Sequence, residues 1–201
     1  LQKLSEVVGV QPATTEKLIP GERRDIAILF LDLKGFTAMS ETMDHEMVHK
    51  IIGGVMQALS SVVQGHGGYV DKFEGDLIMA LFGAKKASDN DCIRAVACGL
   101  KMFGVLGDVN RIFAEKGYEL GARCGISYGS VTVAPDPKGN LTAMGDEVNL
   151  ASRMESTAEV NTVQVSAHVQ KECGDYFEWE DLGEITVKGK KNPIHTFGPT
   201  G

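Results

Sequence analysis

The sequence predicts an α+β fold, an antiparallel-rich sheet with amphipathic helices packed on one of its faces. Three observations support this. An apolar run of strand length occupies residues 25–33, apolar residues at helical spacing follow from Val48, and two short apolar runs flank the turn at Gly75. Together with the later segments they give the order strand, helix, hairpin, helix, strand. This is the βαββαβ order of a ferredoxin-like core, extended by C-terminal strands and a small helix.

Each predicted element follows from a local pattern. The run DIAILFLDL at residues 25–33 has the length and composition of a strand. Between Val48 and Val63 the apolar residues recur every three or four positions, and three nearby glycines end that helix. We then expect a hairpin at 69–83, a second helix at 89–116, a strand at 121–134, a short strand, and a third helix at 146–159.

The chain length of 201 residues suits one domain. Residues 1–23 lack a sustained period, so we expect a lead-in segment from an upstream region, with a short helix around LSEVV, and a domain spanning 24–201. The first residue is Leu1, which indicates a piece of a longer protein. No apolar run reaches the roughly 18 residues of a membrane span. We therefore expect a cytoplasmic domain without membrane contact, whose full-length protein can be anchored through the missing N-terminal region.

Charge and cysteine content exclude some function classes. The formal net charge of −7 argues against a nucleic-acid surface, which needs a positive excess, but it leaves a nucleotide compatible. The four cysteines form no C-x-x-C pair. They are therefore predicted to be reduced, buried thiols with a packing role.

Two aspartates are predicted to meet at one end of the sheet. Asp32 ends the first strand, and Asp76 opens the second strand of the hairpin, directly after Gly75. If these strands are neighbours, the two carboxylates repel each other unless a cation lies between them. Mg²⁺ is a suitable cation, because it commonly binds one or two carboxylates together with substrate phosphates. Solvated turn aspartates are the alternative. The adjoining Gly35, Phe36 and Thr37 favour the first interpretation, because successive backbone N–H groups there can bind phosphate oxygens.

Two further patterns lie on predicted helices. Asn149 and Arg153 are four residues apart and share a helix face, where an amide and a guanidinium suit ribose and phosphoryl oxygens; a solvated face is the alternative. The stretch HEMVH matches the H-E-x-x-H pattern of zinc proteases. No third ligand follows at the usual spacing, so His45 and His49 are interpreted as histidines at the edge of the core.

Four segments together resemble the catalytic domain of class III nucleotidyl cyclases. FLDLKGFT, KFEGDLIMA, GARCGISYG and GDEVNLASRME occur in the order and spacing of that family, and the resemblance covers residues 24–198. Four motifs in register are far more specific than a single glycine-rich pattern.

The resemblance implies a role for each matching residue. Asp32 and Asp76 would bind two Mg²⁺ ions, for which Mn²⁺ can substitute, with the backbone carbonyl of Leu33 as a further ligand. Asn149 would orient the ribose, and Arg153 would stabilise charge on the α-phosphate. The remaining matches would bind adenine or the phosphates. They are Lys72 and Thr142 for adenine, and Arg123 and Lys188 for the terminal phosphates, alongside Gly35, Phe36 and Thr37.

Thr142 departs from the commonest family pattern, which has Asp at this position as partner of the base-reading lysine. A threonine hydroxyl can also accept from the amino group of adenine. A threonine at this position resembles the pattern of the class IIIb subgroup. Several members of that subgroup respond to bicarbonate, so we expect bicarbonate regulation. Guanylyl cyclases usually have Glu at the position of Lys72, and the lysine therefore favours ATP.

The implied activity is that of an adenylyl cyclase, which converts ATP to 3′,5′-cyclic AMP and pyrophosphate. Family members form a head-to-tail homodimer with two sites at the interface. Asp76 would then serve its own chain's metal site and Lys72 the partner's adenine, while Asp71 and Glu74 are expected to be solvated turn residues or interface ion pairs. The alternatives are a guanylyl cyclase and a catalytically silent, nucleotide-binding regulatory domain.

Overall fold

The structure is a computed structural model that describes residues 21–188 and 190–200. The predicted lead-in helix near LSEVV lies outside these residues. The strands are β1 (Glu22–Lys34), β2 (Tyr69–Glu74), β3 (Leu77–Phe82), β4 (Gly121–Pro135), β5 (Leu141–Met144), β6 (Thr162–Ser166), β7 (Trp179–Ile185) and β8 (Ile194–Pro199). The helices are α1 (Phe36–Thr42), α2 (His45–Gly65), α3 (Asp91–Phe113), α4 (Asp146–Thr157) and α5 (Ala167–Cys173).

The eight strands in the described part of the chain join one mixed sheet. Its order is β2-β3-β1-β4-β6-β8-β7, and β5 pairs with the far end of β4. The first four strands in this order form the ferredoxin-like core, in which β1 is antiparallel to both β3 and β4. Among the strands of residues 21–188 and 190–200, only β4 and β6 pair in parallel. The predicted fold class is therefore confirmed, including the extra C-terminal strands and small helix.

Strand alternation divides the core between two faces of the sheet. Ala27, Leu29 and Leu31 of β1 point to one face, the α2/α3 face, where those two helices and α5 pack. Ile26 and Ile28 point to the other, the α4/β5 face, which Ala143 of β5 and Ala151 of α4 cover. The expectation of helices on one face only is wrong, because α4 needs a second apolar surface for its own buried residues.

Local chemistry explains where the first long helix begins and ends. The Asp44 carboxylate accepts from the Glu46 N–H at 3.0 Å, which satisfies one of the free donors at the start of α2. At the other end Gly67 adopts a φ of 72°, the left-handed conformation that glycine tolerates best. All four cysteines are buried free thiols, as predicted. No helix within residues 21–188 and 190–200 is long and apolar enough to cross a membrane.

Candidate active site

Asp32 and Asp76 lie at the same end of the β1–β3 pair. Asp32 is directly opposite Leu77 in the register, and the Leu33 N–H donates to the Asp76 carbonyl oxygen at 3.0 Å. Because the N–H and C=O of a strand residue point to the same neighbour, the Leu33 carbonyl also faces this turn. The proximity predicted from the hairpin and the first strand is therefore present in the backbone.

Two cationic side chains lie beside Asp32. The Lys34 ammonium forms an ion pair with the Asp32 carboxylate, whose side chain is 18% exposed. On the other neighbouring strand, Arg123 is directly opposite Asp32. Its Nε is buried and has no hydrogen-bond partner among the described residues, and its Nη1 lies 3.4 Å from the Ser156 carbonyl. A buried donor without a partner is uncommon, so Arg123 retains capacity to bind an anion here.

Glu155 is a third carboxylate at this end of the sheet, and sequence analysis missed it. It lies on the buried side of α4 and is 8% exposed. Burial raises the pKa of its carboxyl, and the negative charge of Asp32 raises that pKa further. The signal was present in the sequence, since a glutamate next to Met154 in the apolar stripe of an amphipathic helix is unusual.

The turn after β1 depends on Gly35. This residue has a φ of 100°, and a Cβ on it would lie 2.4 Å from the Glu119 carbonyl oxygen. The turn leads directly into α1, whose first residues are Phe36 and Thr37. N–H groups in the first turn of a helix have no acceptor within the helix, so these two remain available to a ligand.

A cleft lies along the outer side of α4. Leu150 and Met154 pack against Val187, which holds the segment before β8 against this helix. The resulting open cleft has a volume of about 420 Å³, and its lining includes Asn149, Arg153 and Lys188. The structure therefore brings Lys188 next to Asn149 and Arg153, which were predicted from a different segment of the chain.

The adenine-reading candidates Lys72 and Thr142 are connected through Asp71. Lys72 pairs with Met79, a member of the core on that face, so its side chain emerges there. A bulge between Val70 and Lys72 leaves Asp71 as an extra residue in β2. The Thr142 hydroxyl of β5 donates to the Asp71 carboxylate at 2.9 Å.

Asp71 is half-buried, so the expectation of a solvated turn residue is wrong. It follows Val70, which packs on the α2/α3 face, so strand alternation directs Asp71 to the face where β5 lies. Burial there raises the pKa of its carboxyl, while the Thr142 hydroxyl, the Lys72 charge and the Ala143 N–H oppose that rise. His45 and His49 also differ from expectation, because both are exposed in the first turns of α2 and not at the edge of the core. No cluster of three or more His, Cys, Asp and Glu side chains arranged for a metal occurs in the described part of the chain.

Sequence and structure comparisons identify the family. The model of the adenylate and guanylate cyclase catalytic domain matches residues 20–198. The chain belongs to this family. The resemblance found in the sequence is thereby confirmed at the level of the cyclase catalytic domain.

Both adenylate and guanylate cyclases are among the similar proteins. Adenylate cyclase 1 of Rhizobium meliloti is 29% identical over 185 residues, which cover 89% of this chain and 28% of that protein. The adenylyl cyclase CyaB of P. aeruginosa has a TM-score of 0.85 and 28% identity over 91% of this chain and 97% of its own. The guanylyl cyclase Cya2 has a TM-score of 0.83 and 33% identity over 91% and 95%. The chain is thus a nucleotidyl cyclase domain that spans about a quarter of its Rhizobium relative.

Proposed function

We propose that this domain is an adenylyl cyclase that converts ATP to 3′,5′-cyclic AMP and pyrophosphate. It is supported by the position of Asp32 and Asp76 at the same end of the β1–β3 pair, where the Leu33 N–H donates to the Asp76 carbonyl oxygen at 3.0 Å. Family membership supports nucleotide cyclisation in general. The choice of ATP is supported by Lys72 and Thr142.

The residues at this end of the sheet fit a divalent cation. Asp32, Asp76 and the Leu33 carbonyl offer hard oxygen ligands, and Mg²⁺ commonly takes one or two carboxylates and completes its shell with water and substrate phosphates. We propose two Mg²⁺ ions per site, with Mn²⁺ as a substitute. When bound, they supply charge neutralisation at the triphosphate and a lower pKa for the attacking hydroxyl.

The proposed reaction is attack of the ribose 3′-hydroxyl oxygen on the α-phosphorus. A new O–P bond forms, the bond from the α-phosphorus to the bridging oxygen breaks, and pyrophosphate leaves while the hydroxyl proton passes to solvent. Asn149 orients the ribose, and Arg153 stabilises the negative charge that develops on the α-phosphate oxygens. Arg123 and Lys188 bind the terminal phosphates with the N–H groups of the turn at Gly35, and the unpartnered Nε of Arg123 supports this role.

Lys72 and Thr142 are proposed to read the base. The lysine ammonium donates to the ring nitrogen of adenine, and the threonine oxygen accepts from its amino group. Their presence on the same face of the sheet supports this pair. A lysine donor and a hydroxyl acceptor match adenine, whereas guanine presents an oxo group where adenine has the amino group.

Each site is proposed to use two chains in a head-to-tail homodimer. Arg153 and Glu155 are two residues apart, so they lie about 200° apart around α4. Glu155 is directed toward Asp32 of its own chain, whereas Arg153 lines the cleft on the opposite side of the helix. This arrangement supports a site in which Arg153, Asn149, Lys72 and Thr142 act on a nucleotide whose metal ions the partner holds.

One assay tests the activity. The purified domain is incubated with Mg²⁺ or Mn²⁺ and either ATP or GTP, and cyclic nucleotide and pyrophosphate are measured. We expect cyclic AMP that EDTA abolishes. Product from neither nucleotide would leave the silent regulatory domain as the function, and product unaffected by EDTA would refute the metal role.

Initial velocities at fixed pH with added bicarbonate test the response proposed from Thr142; a flat response excludes it.

A mixing experiment tests the shared site. Asp32→Ala and Arg153→Ala variants should each lose at least about 10²-fold in rate, by analogy with removing one preorganised charge-stabilising group. When the two variants are mixed under conditions of subunit exchange, part of the activity should return. In a dimer of one chain of each variant, one of the two sites contains both native residues. Exchange without recovery would refute the two-chain site.

Guanylyl cyclase activity is the second candidate. Its support is the 33% identity to the guanylyl cyclase Cya2 over 91% of this chain. The GTP arm of the assay decides between the two. A larger kcat/KM for GTP than for ATP would replace the first proposal with the second and would remove the base-reading role given to Lys72 and Thr142.

A further inference from the structure

The hydrogen bond between Thr142 and Asp71 fixes the direction of one proton. Thr142 Oγ1 donates to Asp71 Oδ2 at 2.9 Å, and both residues are half-buried. A threonine hydroxyl has one proton and two lone pairs, whereas an ionised carboxylate can only accept. The hydroxyl proton is therefore committed to Asp71. Any ligand that approaches Oγ1 meets lone pairs alone.

This polarity distinguishes the two purines. Adenine carries an amino group at position 6, a donor, whereas guanine carries an oxo group there, an acceptor. An Oγ1 that can only accept binds the amino group and repels the oxo group. A hydroxyl free to rotate would serve either base, since it can donate or accept. Thr142 alone is thus a permissive contact, and Thr142 held by Asp71 is a selective one.

We propose that Asp71 is a specificity-determining positioning residue, which orients the Thr142 hydroxyl so that the site accepts the amino group of adenine and rejects the oxo group of guanine. The inference rests on the proposed base-reading role of Lys72 and Thr142 and adds the residue that sets their polarity. Asp71 acts through Thr142 and does not itself contact the base.

The local backbone explains why Asp71 and Lys72 share the face where Thr142 lies. Without the bulge, strand alternation would direct Asp71 and Lys72 to opposite faces of the sheet. The extra residue breaks that alternation, so both residues are available on the face where β5 lies. The charges that act on Asp71 are the Lys72 ammonium, which favours the ionised form, and the Asp136 carboxylate, which opposes it.

A purely structural role is the competing interpretation, because the same hydrogen bond ties β5 to the edge strand β2. The two interpretations differ in one measurable quantity, the ratio of kcat/KM for ATP to kcat/KM for GTP. A structural bond changes both constants in the same proportion. An orienting bond changes their ratio.

The test is Asp71→Asn, which keeps the size of the side chain. The amide nitrogen can donate to Oγ1 and release the hydroxyl proton toward an acceptor on the base. We expect the ATP-to-GTP ratio to fall roughly tenfold, about the effect of one hydrogen bond. Glu74→Gln, which neutralises an exposed carboxylate on the same strand, should leave the ratio unchanged. An unchanged ratio in Asp71→Asn, or the same fall in Glu74→Gln, would overturn the inference.

A double-mutant cycle with Thr142→Val tests whether the effect passes through the hydroxyl. Thr142→Val should lower the ratio by itself, and Asp71→Asn should then have no further effect on it; an equal fall in the valine background would overturn the inference. If Thr142→Val leaves the ratio unchanged, the base-reading role fails and the inference fails with it. If Thr142→Val lowers the ratio and Asp71→Asn does not, only the inference fails.

The same cycle can be measured by binding, which does not depend on turnover. Isothermal titration with non-hydrolysable ATP and GTP analogues gives a ratio of Kd values for each variant. The expected fall is again roughly tenfold. Equal ratios for the native protein and Asp71→Asn would overturn the inference even in a domain that forms no product.

Discussion

Gly125 of β4 lies directly against the backbone of Glu155 in α4. A Cβ on Gly125 would lie 2.0 Å from the Glu155 nitrogen and 2.5 Å from the Ala151 carbonyl oxygen, distances at which no side chain fits. The backbones of α4 and β4 are therefore in direct contact here, which only glycine in the strand allows. Its position determines where Asn149 and Arg153 lie.

Gly125→Ala should force α4 away from the sheet. We expect a loss of about 1–3 kcal/mol in the free energy of unfolding, the usual cost of overpacking, measured by urea denaturation. Cyclase activity should fall by more than the unfolded fraction explains, because Asn149 and Arg153 move with the helix. Gly104→Ala is the control. A Cβ at this exposed helical position meets nothing within 4 Å, so alanine should stabilise by about 0.5–1 kcal/mol. Equal stability of the two variants would refute the close-contact interpretation.

Glu155→Gln should stabilise the metal-free domain, and more so at high pH. Burial raises the pKa of Glu155 above its ordinary value of 4.5. The folded state therefore holds this proton more tightly than the unfolded state does, and stability from this group is lost as pH rises through the folded pKa. Glutamine carries no charge, so the variant does not lose this part of its stability as the pH rises. In EDTA, the increase in Tm over the native protein should be larger at pH 8 than at pH 5; a pH-independent difference would contradict the assignment.

Asp91→Ala should destabilise the domain far more than Asp108→Ala. The Asp91 side chain is 3% exposed, forms an ion pair with Arg94 and accepts from the Ser88 N–H. Its removal leaves the partly buried Arg94 guanidinium without its charged partner and the Ser88 N–H without its acceptor, at a cost of about 3 kcal/mol. Asp108 forms an exposed pair with Arg111, 70% and 83% exposed, and should cost less than about 1 kcal/mol. Chemical denaturation of both variants checks this, and similar losses would contradict it.

Arg123→Lys should weaken inhibition by inorganic tripolyphosphate. Lysine keeps the charge but loses the planar fork that binds phosphate oxygens in pairs, and the Nε donor disappears. We expect the inhibition constant to rise roughly tenfold, about the effect of one charged hydrogen bond. Arg111→Lys, at an exposed position of α3, is the matched control and should leave it unchanged. An equal change in both variants would refute phosphate binding by Arg123.

The sequence predicted those features that depend on local patterns. The apolar run of β1 and the hairpin at Gly75 were enough to predict the pairing that brings Asp32 and Asp76 together, because topology and alternation then leave few alternatives. The spacing of Asn149 and Arg153 likewise gave their common helix face. These predictions needed only residues close in sequence and one rule for neighbouring strands.

Contacts between segments that are distant in sequence could not be predicted from these local patterns. The bulge that places Lys72 on the same face as Asp71 inserts one residue in the pairing and leaves no periodic signal over so short a strand. Glu155 belongs to the site only because α4 packs over β4, which depends on the approach at Gly125. The assignment of all helices to one face was wrong for the same reason, since a hydrophobic period shows that a face is buried but does not identify what covers it.

The strand register has a consequence for how such a domain can change its substrate during evolution. Asp32 and Arg123 face each other in the thirteen-position ladder between β1 and β4, the longest among the described strands. Lys72 lies on the edge strand β2, and Thr142 lies on a strand of only four residues. Peripheral strands tolerate replacement better than a central ladder does. Under the proposed roles, a new base preference can arise at the edge of the sheet while the phosphate-binding residues stay in place, which is consistent with adenylate and guanylate cyclases sharing one architecture.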